Sequence, residues 1–128
     1  MDPSGDVLLA RHRFGSPEWR LLGGFIEREE PLEAALAREL REETGLEIEV
    51  GPLLEAGAGV RWAHVELVYA YRPVGGQVAL SGELAELRSF APDRLPPLRP
   101  DQRNVVERHF PRAREWARVR ASVVDRGK

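Results

Sequence analysis

Short stretches in which apolar and polar residues alternate predict the β-strands of this chain. The longest covers residues 62–71, where Val65, Tyr71 and the apolar residues between them at every second position share one face. Shorter apolar or alternating stretches predict strands over residues 7–10, 19–22, 47–50 and 84–90. Residues 78–80 are expected to pair back across a turn at Gly75 and Gly76.

Apolar residues three and four positions apart predict helices in two other regions. The first helix is expected from Pro31 to Thr44, because proline suits the first helical position and Gly45 suits the left-handed residue that closes a helix. Further helices are expected over about residues 101–124, with a break at Pro111. The pattern predicts one α/β (α+β) domain over residues 1–128, in which a mixed β-sheet packs against helices.

Composition limits the classes of protein to which the chain can belong. A chain of 128 residues without cysteine forms one domain, with no disulfide and no thiolate metal site. Its apolar runs are too short to span a membrane, and its first residues lack the pattern of a secretory signal. These observations predict a cytoplasmic protein with no membrane partner.

Charge is unevenly distributed along the chain. The net charge of −2 argues against a dedicated nucleic-acid-binding protein. Residues 27–55 are rich in acids, and seven arginines lie between residues 99 and 120. This basic run is typical of a solvated helix face, and a surface that contacts phosphate or another subunit is the alternative.

Three glutamates of the first predicted helix form what we call the carboxylate ridge, Glu39, Glu42 and Glu43. Their spacing of i, i+3 and i+4 places them on one face of the helix. Among residues one helical turn away, only Glu42 has a basic neighbour, which is Arg38. Leu36 projects on nearly the same side, so the ridge is expected to point partly inward.

Carboxylates that are half-buried without basic partners are costly unless a cation binds them or their pKa values rise. Glutamate oxygens at this spacing suit Mg²⁺, which keeps several of its waters when a protein binds it. The other interpretation is a solvated acidic helix face.

The residues around the ridge resemble the signature box of the Nudix hydrolases. The resemblance extends over Gly24, Glu30 and the stretch "RELREETGL" at residues 38–46, and it holds at every fixed position of the box. The stretches "LLARHRF", "WRLLGGF" and "FAPDRLPPL" are similar to other parts of the family, so the likeness covers about residues 5–98. It implies a Nudix-like α/β/α sandwich with the box on a loop–helix–loop.

The resemblance implies a hydrolase that uses Mg²⁺, or Mn²⁺, to cleave the diphosphate linkage of a nucleoside diphosphate derivative. ADP-ribose, other nucleotide sugars, dinucleoside polyphosphates and nucleoside or deoxynucleoside triphosphates all remain open as this small-molecule substrate. Two other functions stay open. One is a Nudix-fold sensor or regulator that binds a nucleotide without cleaving it, and the other is an interaction module whose acidic and basic segments pair between subunits.

The same resemblance implies the metal ligands. Glu42 and Glu43 are the expected main ligands, and Glu39 is a further ligand or the base that activates water. An additional ligand is expected from Glu83, with Glu86 as the second choice.

Other residues of the resemblance are expected to orient the site or to contact the substrate. Arg38 is expected to hold the carboxylates in orientation, and Glu30 to support the loop beneath the metal. Gly23, in the supporting loop, and Gly24, a substrate-binding residue, are expected to let the backbone pass close to the site. Two basic residues beside the early strand are expected to contact its phosphates: Arg11 and Arg13.

The chain departs from the family pattern at its N-terminal end. Family members have a strand before the one predicted at residue 7, and only six residues precede Val7 here. Either another segment replaces that strand or the sheet has an open edge, and an open edge would favour pairing with another chain. We therefore predict a homodimer, in which Trp116, Val119 and Val123 offer a helix face to cover the edge.

Overall fold

The computed structural model describes residues 5–23, 29–58 and 65–126. Gly24, and residues 62–64 of the predicted long strand, lie outside these ranges. The elements follow one another as β1 (Val7–His12), β2 (Trp19–Leu21), α1 (Leu32–Thr44), β3 (Leu46–Ala58), β4 (Val65–Gly76), β5 (Leu84–Phe90) and α2 (Pro100–Arg126). The predicted α+β fold class is confirmed.

The strands form two antiparallel sheets. One sheet has three strands in the order β2-β1-β5, and the other is the pair β3-β4. Within the described residues, parallel pairing is limited to a single bridge between Trp19 and Leu98. The mixed character predicted for the sheet is therefore confined to this bridge.

Strand β1 lies in the middle of its three-stranded sheet, so the alternative of an open edge is wrong. Leu9 pairs with Leu21 of β2 on one side and with Arg88 of β5 on the other. Residues Val7 to Ala10 are all buried, and β1 pairs with β5 along Val7–His12 and with β2 from Leu9 to Arg11. The open edge of β1 was the first argument for a homodimer, and that argument no longer holds.

The hydrophobic core lies between β1 and α2. Val7 and Leu9 of β1 pack with Leu98 and with Val106 of α2, and partly buried residues surround this cluster: Trp19, Leu21, Phe90, Leu95 and Phe110. Burial of these apolar side chains is the main stabilisation of the sheet–helix contact.

Helix α2 is a single helix of 27 residues with Pro111 inside it, so the predicted break at Pro111 is wrong. A proline within a helix costs about 3 kcal/mol because it removes a hydrogen bond and crowds the preceding turn. Buried residues on both sides of the proline, Val106 before it and Ala113 and Ala117 after it, hold the two halves against the domain. None of the described helices is long and apolar enough to cross a membrane.

The second half of α2 packs on the β3-β4 sheet. The ring of Trp116 covers Gly51 so closely that a Cβ there would lie 2.8 Å from three ring atoms. Trp116 therefore packs within the chain, whereas Val119 and Val123 are 50% and 52% exposed. The predicted homodimer now rests on these two valines alone.

Two ion-pair clusters join the basic run of α2 to β3. Glu49 accepts hydrogen bonds from Arg120 and from Arg72 of β4, each at 2.9 Å. Glu55 pairs with Arg108 at 2.7 Å and with His109 at 2.9 Å. These bonds lower the pKa of both carboxyl groups, with Arg120 the largest cause at Glu49 and His109 the largest at Glu55. Part of the basic run thus binds acids of the same chain.

We call residues 77–83 the strap. The strand predicted at residues 78–80 falls within it, and that prediction is wrong. These residues do not pair back along β4. Instead, Ala79 N donates to the carbonyl of Thr44 at 2.8 Å, and Ser81 N donates to the carbonyl of Glu43 at 2.9 Å. The strap therefore lies across the C-terminal end of α1, where free carbonyl groups need donors.

Candidate metal and substrate site

Helix α1 carries the ridge, and local signals fix both of its ends. Pro31 is the N-cap, one residue outside the helix, and Gly45 closes the helix at φ 81° with its N–H bonded to the carbonyl of Arg41. A left-handed residue at this position is usually glycine, because a Cβ is disfavoured there. The predicted helix is thus confirmed to within one residue.

Arg38 contacts three of the predicted site carboxylates. Its Nε and Nη2 donate to the two oxygens of Glu30 at 2.7 and 2.9 Å, a bidentate pair. Its Nη1 lies 3.1 Å from Glu42 Oε2 and 3.2 Å from Glu39 Oε1. The arginine side chain is only 17% exposed, so these charge-assisted bonds are partly shielded from water.

The contact between Arg38 and Glu39 corrects one observation made on the sequence. Residues one helical turn from Glu39 include no base, but Arg38 is adjacent to it in the chain. Adjacent residues on a helix do not face each other, so spacing alone gave no reason to pair them. The long arginine side chain reaches Glu39 because its guanidinium also lies beside Glu30 and Glu42.

Glu43 differs from the other two glutamates of the ridge. The described residues form no ion pair with it. Burial and then the charges of Glu39, Glu83 and Glu42, in that order of importance, together raise the pKa of Glu43 to about 7. Four carboxylates therefore share one electrostatic environment, although Glu83 is remote from the ridge in sequence.

The strap brings Glu83 to the ridge. The main chains cross at Gly45, where a Cβ would lie 2.2 Å from the carbonyl oxygen of Gln77 and 2.9 Å from Ala79 N. Glycine at residue 45 is therefore needed for the crossing as well as for the end of the helix. The hydroxyl of Ser81 is buried beside this crossing, with no hydrogen-bond partner among the described residues.

Arg13 joins the strap to the end of β1. Its backbone N donates to the carbonyl of Glu83 at 2.8 Å, and its Nε donates to the carbonyl of Gly82 at 3.1 Å. The guanidinium, expected to contact substrate phosphates, is thus bonded to the backbone of the strap.

Arg11 forms an ion pair with a carboxylate. Its Nε and Nη2 both donate to Glu86 Oε1, and the first of these bonds measures 3.1 Å. The hydrogen bond from Arg11 is the largest cause that lowers the pKa of Glu86. Arg88 binds the other oxygen of Glu86 at 2.9 Å, so two arginines hold the carboxylate that was the second choice as a ligand.

His12 is a neighbour of the site that the sequence analysis did not include. Its pKa is lowered by burial first and by Arg20 second, while Glu83 acts in the opposite direction. The histidine stands between the two arginines expected to contact phosphate, and that position is the only signal in the sequence that could have drawn attention to it.

The residues predicted to support the loop beneath the metal differ in their surroundings. Glu30 is bound to Arg38, as described above. Gly23 is exposed, and a Cβ at that position would meet nothing within 4 Å. The predicted close passage of the backbone at Gly24 lies outside the described residues.

Mg²⁺ or Mn²⁺ fits the chemistry of this site. Carboxylate oxygens are the ligands that Mg²⁺ prefers, and a cation would relieve the repulsion that raises the pKa of Glu43. Within residues 5–23, 29–58 and 65–126, no three carboxylate or imidazole groups are already gathered as a metal-binding set. Glu39 and Glu42 lie towards Arg38 instead. The carboxylates that could supply ligands to such a cation are Glu39, Glu42, Glu43 and Glu83.

Comparison with known proteins places these residues in a wider context. The family model of the NUDIX domain matches residues 1–109. A MutT-like protein of Streptomyces ambofaciens is 35% identical over 88 residues, which cover 69% of this chain and 57% of that protein. An NAD-capped RNA hydrolase NudC of Pseudomonas aeruginosa is 35% identical over 110 residues, 82% of this chain and 38% of that protein. The chain therefore spans less than two thirds of the length of either relative.

Solved structures show the same similarity. A UDP-X diphosphatase superimposes with a TM-score of 0.69 at 27% identity, over 80% of this chain and 54% of that one.

Proposed function

The chain belongs to the Nudix family, and from this premise we propose that it is a divalent-cation-dependent pyrophosphohydrolase. Its proposed reaction is the hydrolysis of the diphosphate linkage in a nucleoside diphosphate derivative. The observation that carries this proposal is the group of four carboxylates at the end of α1, where half-burial and then the charges of Glu39, Glu83 and Glu42 raise the pKa of Glu43. Such a group favours a bound cation.

Each carboxylate has a proposed role. Glu42 and Glu43 are the main ligands for Mg²⁺ or Mn²⁺, and Glu83 is an additional ligand. Glu39 is either a further ligand or the base that takes a proton from the attacking water. When bound, the cation neutralises phosphate oxygens and lowers the pKa of a bound water.

Arg38 and Glu30 hold the ridge in place. The bidentate pair fixes the plane of the guanidinium, and Nη1 then reaches Glu39 and Glu42 from a constant direction. Paired side chains of this kind reduce the conformational freedom that ligand binding would otherwise have to remove. We propose this positioning role for Arg38 rather than contact with the reacting phosphate.

The proposed substrate class rests on the substrates that appear in the names of two similar proteins. An NAD cap and a UDP-X substrate both contain a diphosphate attached to a nucleoside. We extend this common element to the present chain, and we leave the second moiety open because the pocket walls that select it vary on one fold.

A panel of substrates tests the proposal. Purified protein is incubated with NAD, ADP-ribose, a UDP-sugar, a dinucleoside polyphosphate and a nucleoside triphosphate, with Mg²⁺, Mn²⁺ or EDTA. We expect hydrolysis of at least one compound with a divalent cation only, and mass spectrometry should identify a nucleotide and a phosphorylated remainder. Glu42→Gln should lower kcat at least about 100-fold, since a positioned metal or base contributes that much.

The control is Glu33→Gln, which changes an exposed glutamate in the first turn of the same helix. It should keep the kcat of the wild type. A normal kcat in Glu42→Gln, or no hydrolysis of any compound, would contradict the proposal. Binding of a nucleotide by calorimetry without hydrolysis would favour the sensor or regulator instead.

A further inference from the structure

Arg13 bonds to both peptide groups that flank the α-carbon of Glu83. The carbonyl of Gly82 belongs to the peptide bond before Glu83, and Arg13 Nε donates to it at 3.1 Å. The carbonyl of Glu83 belongs to the peptide bond after it, and the backbone N of Arg13 donates to that group at 2.8 Å. Since the two peptide planes define the direction of the Cα–Cβ bond between them, this pair of bonds sets the direction in which the Glu83 side chain leaves the backbone.

A hydrogen bond from Leu84 N to the carbonyl of Ser81 at 3.2 Å closes the turn that contains Gly82 and Glu83, but it does not involve the peptide group between these two residues. Gly82 is exposed, and a Cβ there would meet nothing within 4 Å. Glycine has the widest choice of backbone conformations of any residue, so the peptide between Gly82 and Glu83 can turn unless a partner holds it. The guanidinium of Arg13 is such a partner, and its bond depends on the side chain at residue 13.

The strap is already fixed to the ridge at Ser81. Ser81 N donates to the carbonyl of Glu43 at 2.9 Å, only two residues before Glu83. Glu43 and Glu83 are therefore linked through main-chain bonds, and Arg13 restrains the peptide group between Gly82 and Glu83 in that link. The distance between the two carboxylates then depends on Arg13.

We propose that Arg13 is a positioning residue that holds Glu83 opposite Glu43 for metal binding. This inference rests on the proposed function, because it takes Glu83 as a ligand. It replaces the role first expected for Arg13, which was direct contact with substrate phosphate.

The test measures Mn²⁺ binding without substrate, from the electron paramagnetic resonance signal of free Mn²⁺. Arg13→Ala should weaken Mn²⁺ binding about tenfold, as the loss of a residue that orients a ligand commonly does. Arg13→Lys keeps one donor within reach of the Gly82 carbonyl and should restore most of the affinity. In a Glu83→Gln background, Arg13→Ala should add less than about a twofold effect, because the ligand that it positions is already lost.

The matched control is Arg103→Ala. Arg103 also donates to a backbone carbonyl at 3.1 Å, that of Pro96, and this bond lies outside the strap. Its removal should leave the Kd for Mn²⁺ within about twofold of the wild type, while its effect on Tm shows what the loss of one such bond does to stability alone.

Each other outcome has a distinct meaning. Absence of Mn²⁺ binding in the wild type would contradict the proposed function itself. If the wild type binds Mn²⁺ and Arg13→Ala binds it equally well, the positioning role is wrong, and a raised KM in that variant would return Arg13 to phosphate contact. An equal loss of affinity in the wild-type and Glu83→Gln backgrounds would also overturn the role, because the effect would then not pass through Glu83.

Discussion

The three glutamates of the ridge share one face of α1 but differ in their surroundings. The side chain of Glu42 is 58% exposed and that of Glu39 is 19% exposed, and both lie within reach of Arg38. Glu43 is half-buried and has no ion pair with a described residue, and its pKa is raised to about 7. Spacing predicted that the three share a face. It could not predict which one bears the cost of burial, because that depends on the strap and on Glu83.

The raised pKa of Glu43 predicts how stability depends on pH without metal. The folded protein binds the proton of Glu43 more tightly than the unfolded chain does, since the pKa rises from 4.5 to about 7. The free energy of unfolding should therefore fall between about pH 4.5 and pH 7 and level off above. Glu43→Gln should remove this fall and be about 2 kcal/mol more stable than the wild type at pH 8, with allowance for solvent screening.

Urea unfolding in EDTA at pH 5 and pH 8 measures this effect. Glu33→Gln should keep the pH dependence of the wild type, because that glutamate is exposed. An unchanged dependence in Glu43→Gln would show that the ridge is a solvated face.

At the scale of elements, the candidate site lies where α1 and the strap cross. The bounds of α1 could be predicted because Pro31 and Gly45 act locally. The strap could not, because residues 78–80 have the composition of a strand and their partners, Glu43 and Thr44, are distant in sequence. The same reason explains the unbroken helix α2 through Pro111, which packing on both sides maintains. Local signals thus predicted the element that carries the ridge, and long-range contacts decided what meets it.

Gly45→Ala should destabilise the protein by about 3 kcal/mol or more. A left-handed conformation costs a residue with a Cβ about 1 kcal/mol. In addition, the new Cβ would lie 2.2 Å from the carbonyl oxygen of Gln77, a backbone atom that can move only with the strap. Gly57→Ala is the matched control, since a Cβ at residue 57 meets nothing within 4 Å, and its effect should be small. Urea unfolding of both variants provides the comparison, and equal stabilities would rule out the tight crossing.

At the scale of the whole molecule, α2 holds the two sheets together. Its first half packs on the core beside β1, and its second half carries Arg120 and Trp116 to β3. Three carboxyl groups with lowered pKa values, Glu49, Glu55 and Glu86, each bridge two strands or join a strand to α2. The sequence showed an acidic region and a basic run, but not that they pair within one chain.

These bridges predict the acid side of the stability profile. A carboxyl group whose pKa is lowered in the folded state contributes stability above its unfolded pKa of 4.5, and that stability is lost as pH falls through the folded pKa. Combined with the opposite effect of Glu43, the Tm of the metal-free protein should be highest near pH 5. A Glu49→Gln/Glu55→Gln double variant should lose less Tm than the wild type between pH 5 and pH 3. Calorimetry across this range would reject the assignment if both proteins showed the same acid loss.

The crossing at Gly45 also bears on how the chain folds. Helix α1 can begin to form from local contacts, but its last carbonyl groups must wait for donors from Ala79 and Ser81. Closing so long a loop costs chain entropy before the new bonds repay it, so this end of the helix should be among the later parts to settle. When synthesis has reached only the end of the signature box at residue 46, the C-terminal end of α1 is therefore still frayed. The arrangement of carboxylates becomes available only after β4 and the strap have also left the exit tunnel.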